Sequence, residues 1–248
     1  MNKIIKRFIL ISEGQRLKDK LKIFLSVITL NKYSSNLNLK NNDGIFSIRK
    51  KSADLWMLST LGERELRKYF FLKRGVFLDV GANVGKYSII MGRKMGKKGK
   101  VYAFEPEPHN LIALERNIKL NNLQNIRIVP LACSDKKSII EFYIDEKNTG
   151  GHSMIRKTNK KIKVKTERID EIISSEKIRN VGLVKIDAEG AEMKVLQGAK
   201  KLLNQQHPKI IFETDYPEKV LPFLRKFNYQ IKRISKKDYF AKNEKDII

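Results

Sequence analysis

The chain has 248 residues, 41% of them hydrophobic, which suffices for one α/β domain with a modest N-terminal extension and argues against wholesale disorder. Its 52 basic and 27 acidic side chains give a net charge of +25, and its one cysteine, Cys133, excludes an intramolecular disulfide. The excess is spread along the chain: +11 over residues 1–75, +9 over 76–215 and +5 over 216–248. Lysine outnumbers arginine by 38 to 14, although arginine is the better fork for phosphates, so a solvated basic surface and an anion-binding one both stay open. With no Cys/His cluster at zinc spacing, a reducing compartment and a cytoplasmic location are expected. No metal site is expected.

Residues 1–75 read as a mainly helical N-terminal extension, serving the substrate side or an oligomer contact. Within it, residues 45–49 suggest a short strand, and Leu66, Tyr69, Phe70 and Leu72 have helix-like spacing before Gly75. No stretch reaches the roughly 20 apolar residues that a bilayer requires. Residues 21–30 come nearest and are interrupted by Lys22. The basic, amphipathic start leaves a membrane-surface contact by residues 1–30 open beside packing on the domain or on a second subunit.

From residue 76 to residue 248 strands and helices alternate. Strands are expected at 76–80, 100–104, 126–132, 181–186 and 209–212, with helices at 86–95, 108–121 and 192–203. Residues 139–144 and 162–166 read as an inserted antiparallel pair around a polar loop, and 229–234 with 238–241 as a closing hairpin. This alternation predicts a doubly wound, mostly parallel α/β sheet, whose ligands sit beyond the carboxyl ends of the strands.

The first such end reads Asp79-Val-Gly-Ala-Asn-Val-Gly85. Gly81 and Gly85 bracket a sharp turn into a helix, where a missing Cβ lets a ligand approach the backbone. A P-loop is excluded by spacing, because three residues and not four separate Gly81 from the Gly85-Lys86 pair. Asn83 stands where the dinucleotide pattern has its second glycine. Glu105 follows the next strand, 24 residues after Gly81, at a position suited to ribose hydroxyls. Together the two features favour nucleoside binding over an ordinary turn beside a solvated carboxylate.

Five segments resemble the FkbM family of methyltransferases. Asp79-Val-Gly-Ala-Asn-Val-Gly85 and Phe104-Glu-Pro-Glu-Pro108 are similar to its first two cofactor motifs. Val184-Lys-Ile-Asp-Ala-Glu-Gly-Ala-Glu192, with Gly198-Ala199 closing the helix, is similar to its K-I-D-x-E-G-x-E motif, and Ile210-Ile-Phe-Glu213 to its next strand end. Upstream, Arg49 with Ser52-Ala-Asp54 is similar to the family's R-P-G-T-S-D segment, with Lys50 and Lys51 in place of Pro-Gly. The likeness runs from about residue 48 to residue 239.

The resemblance implies a Rossmann-like fold that binds S-adenosylmethionine. It places Asp79 near the amino-acid end of the cofactor, Gly81, Asn83 and Gly85 beneath it, and Glu105 on the ribose. Residues 132–135 would flank the adenine, with Asp135 on its exocyclic amine. An exposed turn before the next strand explains Ser134 and Asp135 nearly as well. Asp187, Glu189 and Glu213 are the candidates for the reaction zone, where a base would take the proton of a hydroxyl acceptor. Glu189 also reads as a helix-start acid, and His152 as a further base or part of a lid.

A small molecule or glycan is the expected acceptor: a hydroxyl of a sugar, a glycan or a secondary-metabolite precursor. RNA methylation is the alternative that the charge suggests. Against it stand the lack of a base-stacking module and of an Asn/Asp-Pro-Pro segment, since Ala-Glu-Gly follows Asp187. A non-catalytic cofactor-binding partner protein is the third reading.

Overall fold

The computed structural model describes residues 20, 23–24, 37–50, 52–58, 65–145, 152–155 and 157–247. The expected helix near the N-terminus lies outside them. The described part of residues 37–75 opens with an antiparallel hairpin, β1 (Leu37–Asn41) and β2 (Gly44–Ile48), followed by the single turn α1 (Asp54–Met57). Over residues 66–72 the expected helix is replaced by a 3-10 turn at Arg67–Tyr69. Phe70 has left helical geometry (φ −77°, ψ 69°), and its ring stacks on Tyr87 at 4.1 Å. Helical spacing here records burial of single aromatic anchors and not a continuous helix.

The central sheet forms because β3 (Gly75–Val80), β4 (Gly99–Phe104), β9 (Val181–Ile186) and β10 (Lys209–Glu213) are short apolar runs buried on both faces. With β5 (Ile126–Val129) they pair in parallel, and the antiparallel β12 (Asp238–Asn243) and β11 (Tyr229–Arg233) complete a seven-stranded order β11-β12-β10-β9-β3-β4-β5. The chain leaves β3 in one direction to reach β4 and returns to its other side with β9, so the topological switch point lies between β3 and β9. Helix α2 (Lys86–Met95) follows the first turn as expected. Helix α3 (Pro108–Leu120) starts with Pro108 in its first turn and Glu107 as N-cap, the Glu107 carboxylate accepting the Asn110 N–H at 2.7 Å.

Helix α3 also holds the N-terminal hairpin. Asn121 exchanges two hydrogen bonds with the Ile45 backbone at 2.9 and 2.7 Å, and Asn117 accepts from Ser47 N at 2.8 Å while donating to the Val84 carbonyl. Two asparagines thus serve as a surrogate strand, tying the hairpin to the turn that follows β3.

Two further expectations are corrected, and a third, the inserted pair, is extended. The strand expected at 126–132 is two strands, β5 and β6 (Ala132–Cys133), in different sheets, because Pro130 cannot donate to a ladder. The inserted pair is β7 (Ser138–Ile144) and β8 (Lys160–Glu167), and β8 takes β6 as its second neighbour in a separate three-stranded sheet. The helix expected at 192–203 breaks into α5 (Glu192–Gln197) and α6 (Lys200–Gln205). Two further helices, α4 (Ile169–Ser175) and α7 (Pro217–Arg225), were not anticipated from the sequence. Buried Asp170 of α4 explains the break: its carboxylate accepts Lys201 N and Leu202 N, each at 3.0 Å, and so caps α6 from another element.

Candidate functional site

Strand register lines up the chemistry. Val80 pairs with Ile186 and Ile186 with Phe212, so the next positions along the carboxyl edge are Gly81, Asp187 and Glu213. Glu213 then pairs with Asp238 of β12. The edge therefore presents a glycine turn followed by three carboxylates on neighbouring strands.

The turn is built for close approach. Gly81 has φ +77°, and a Cβ there would overlap the Asp187 carbonyl oxygen. The N–H groups of Gly81 and Ala82 both reach the Phe104 carbonyl, at 3.1 and 2.9 Å, and Asp187 N reaches the Val80 carbonyl at 3.0 Å. Asn83 accepts the left-handed backbone (φ 51°), as its side chain permits, and Gly85 (φ 91°) opens α2.

Glu105 is buried beside this turn. Its Oε2 accepts Asn83 N at 2.8 Å, and its Oε1 accepts Glu107 N at 2.9 Å and Asn110 Nδ2 at 3.4 Å. Burial raises its pKa to about 7 against the pull of those donors. The segment resembling R-P-G-T-S-D has a structural role here. Arg49 grips buried Asp54 with Nε and Nη2, both at 2.8 Å, and donates from Nη1 to Asn110 Oδ1 at 2.8 Å, bracing the residue that braces Glu105.

Asp79 lies beneath the turn and not in the cleft. It is fully buried, accepts Ser88 Oγ at 2.6 Å, and has Lys185 Nζ 3.9 Å from its Oδ1, which has no hydrogen-bond partner among the described residues. Burial pushes its pKa up, opposed by Lys185 and Ser88. Lys185 also pairs with Asp187 at 3.1 Å and sits 5.2 Å from the Tyr87 ring centroid, so one buried cation serves two carboxylates. Beyond Asp187, burial first and then Asp187, Asp238 and Glu189 raise the Glu213 pKa to about 7, with Lys185 opposing them.

An open cleft of about 550 Å³ runs from Asp187 past Gly81 to Glu105; Glu213 and Asp238 do not line it and face a smaller hollow that shares Asp187. Its apolar wall is Phe104, Leu131, Phe142 and Met154, and its polar groups include Asn83, Glu105, Asn110, His152, Asp187 and Glu189. Ala132 and Cys133 line it as expected, but Ser134 and Asp135 do not. Ser134 donates its N–H to the Glu167 carbonyl at 2.9 Å, its carbonyl packs on Gly198, and its hydroxyl bonds to Asp135 at 3.0 Å. Burial raises the Cys133 thiol well above its ordinary pKa, so it is a packing group.

Glu189 sits in a left-handed conformation (φ 49°) before the helix, whose N-cap position is held by Ala191. Buried Glu192 fixes this loop by accepting Gly190 N at 2.8 Å and Thr214 Oγ1 at 3.3 Å. Lys185 and Asp238 were missed as site residues. Lys185 was legible, since it lies two residues from Asp187 on a strand and shares its face. Asp238 enters only through antiparallel pairing. Among the described residues, no group of three or more His, Cys, Asp or Glu side chains is arranged to hold a metal ion.

The cleft fits a nucleoside cofactor: an apolar wall for a base, a hydrogen-bonded acid for a ribose, and a glycine turn at the switch point. The fold and the site thus define a doubly wound nucleoside-binding domain. The chain belongs to the methyltransferase FkbM domain family, whose model matches residues 79–231, and its cofactor is S-adenosylmethionine.

A solved FkbM methyltransferase from Methylobacillus flagellatus superposes over 96% of this chain and 58% of its own, with a TM-score of 0.51 and 16% identity, a likeness of fold. A protein of Sulfolobus acidocaldarius described as a probable cobalt-precorrin-6B C(15)-methyltransferase (decarboxylating) is 34% identical over 45% of this chain and 52% of its own. The hexuronic acid methyltransferase AglP of Haloferax volcanii is 27% identical over 60% of this chain and 62% of its own. The chain spans about half to two thirds of the length of these curated relatives.

Proposed function

We propose that this chain is an S-adenosylmethionine-dependent O-methyltransferase acting on a hydroxyl of a sugar, a glycan or a secondary-metabolite precursor. The observation that carries this reading is Glu213. It is a carboxylate at the carboxyl edge, beside Asp187 in the register, and its pKa of about 7 suits uptake of a hydroxyl proton near neutrality.

In this reading the Gly81–Gly85 turn, Asn83 and Glu105 hold the cofactor, with Glu105 accepting from its ribose hydroxyls. Asp79 supports the turn from below through Ser88 and Lys185. When bound, S-adenosylmethionine supplies an electrophilic methyl group on a sulfonium that becomes a neutral thioether. Asp187, committed to Lys185, orients the acceptor, and Glu213 takes its proton. Glu189 lines the cleft two residues beyond Asp187. AglP acts on a hexuronic acid, which supports a carbohydrate acceptor. The 34% identity to the cobalt-precorrin protein favours a second reading, transfer to carbon.

Incubation with methyl-labelled S-adenosylmethionine and fractionated extracts tests both. Label in glycan or metabolite fractions, bonded to oxygen and lost in Glu213→Gln, supports the proposal. Carbon-bound label or label in RNA sinks it.

A further inference from the structure

The segment at residues 152–155 is fastened across the cleft by contacts made by Ser153. Ser153 is buried and exchanges backbone hydrogen bonds with Tyr143 of β7 at 2.8 and 3.0 Å. Its hydroxyl donates to the Glu189 carbonyl at 2.7 Å, beyond the end of β9. The next residue, Met154, packs with Phe142 in the cleft wall. The residue before Ser153, His152, lines the same cleft as Glu105 and Asn110. This loop is therefore anchored at the place where the cofactor binds.

The imidazole's hydrogen bond fixes what it can do there. His152 Nδ1 accepts the Asp145 N–H at 3.0 Å, so in the neutral ring the proton resides on Nε2. Burial lowers the His152 pKa. Arg49 and His109 push it further down against Glu107 and Asp145, so the net effect favours the neutral ring. Glu105 in its carboxylate form only accepts, and backbone or amide donors already hold both its oxygens. A ribose diol has two protons to give and lone pairs to satisfy, so a carboxylate alone leaves the lone pairs without a donor.

We propose that His152 is a cofactor-binding residue, its neutral Nε2–H donating to a ribose hydroxyl oxygen of S-adenosylmethionine opposite Glu105. This rests on the cofactor assignment and on no assumption about the acceptor. It also removes His152 from the candidate bases, since its basic nitrogen is occupied by Asp145.

Isothermal titration with S-adenosylhomocysteine as the probe tests it. His152→Ala should weaken binding about tenfold, the worth of one good hydrogen bond, and His152→Gln should restore part of the loss. Adenosine should show the same loss, and a deoxyadenosine lacking the contacted hydroxyl should bind both proteins alike. Nitrogen-15 spectra of the free protein near pH 7.5 should show the Nε2–H tautomer. Unchanged affinity in His152→Ala, or an Nδ1–H tautomer, would overturn the role while leaving the cofactor assignment standing. Failure of the unmodified chain to bind S-adenosylhomocysteine would overturn both.

Discussion

Replacing Glu213 by Gln should make the protein more stable at alkaline pH while abolishing methyl transfer. Glu213 has a folded-state pKa of about 7 against an ordinary glutamate value of 4.5. Below pH 4.5 the group is protonated in both folded and unfolded chains, and no penalty exists. Between pH 4.5 and 7 the folded chain binds more protons than the unfolded one, so stability falls as pH rises, and above 7 the loss is complete. At 1.36 kcal/mol per pH unit the full penalty would be about 3 kcal/mol. Partial exposure of the side chain screens the neighbouring charges, and about 1–2 kcal/mol is the expected gain. For a domain of this size that gain corresponds to roughly 3–6 °C in Tm. Thermal and urea unfolding of both proteins at pH 5 and pH 8 measure it. The variant should exceed the parent at pH 8, and the gap should narrow at pH 5. A variant no more stable at pH 8, or a gap independent of pH, would refute the electrostatic reasoning about the acid row.

Three other perturbations follow from the same geometry. Gly81→Ala should cost at least about 2 kcal/mol in urea unfolding and abolish S-adenosylhomocysteine binding, because φ is +77° and the new Cβ meets the Asp187 carbonyl. Lys185→Met strands buried Asp79 without its cation and should cost about 3–5 kcal/mol, with a large part recovered in the Lys185→Met/Asp79→Asn double variant. Arg49→Lys loses the two-pronged grip on Asp54 and the reach to Asn110. It should cost about 1–2 kcal/mol and weaken S-adenosylhomocysteine binding measurably, although Arg49 does not line the cleft.

Local chemistry made the glycine turn and its neighbouring acid readable. Gly81, Asn83, Gly85 and Glu105 occupy one turn and one strand end, and their spacing follows from a single β-α-β unit. The acid row was readable in part. Asp187 and Glu213 each end an apolar strand, whereas Asp238 begins one, and that strand pairs antiparallel. The anchoring of the cleft's rim was not readable. Ser153 reaches Glu189 across 36 residues, and the asparagine pair on α3 reaches the hairpin across 70 and 76.

Hydrophobic periodicity and turn chemistry therefore determined the alternating strands and helices, the glycine turn and its acidic partner, because each depends on residues within one element or its neighbour. Tertiary structure decided the rest. Asp170, supplied by another helix, broke the helix expected at 192–203 in two. Pro130 sent β5 and β6 to different sheets, and Ser134 was turned onto Gly198, away from the cleft. The pKa values of Glu105 and Glu213 belong to this second group, because burial by distant segments is their largest cause, and no spacing in a sequence encodes that.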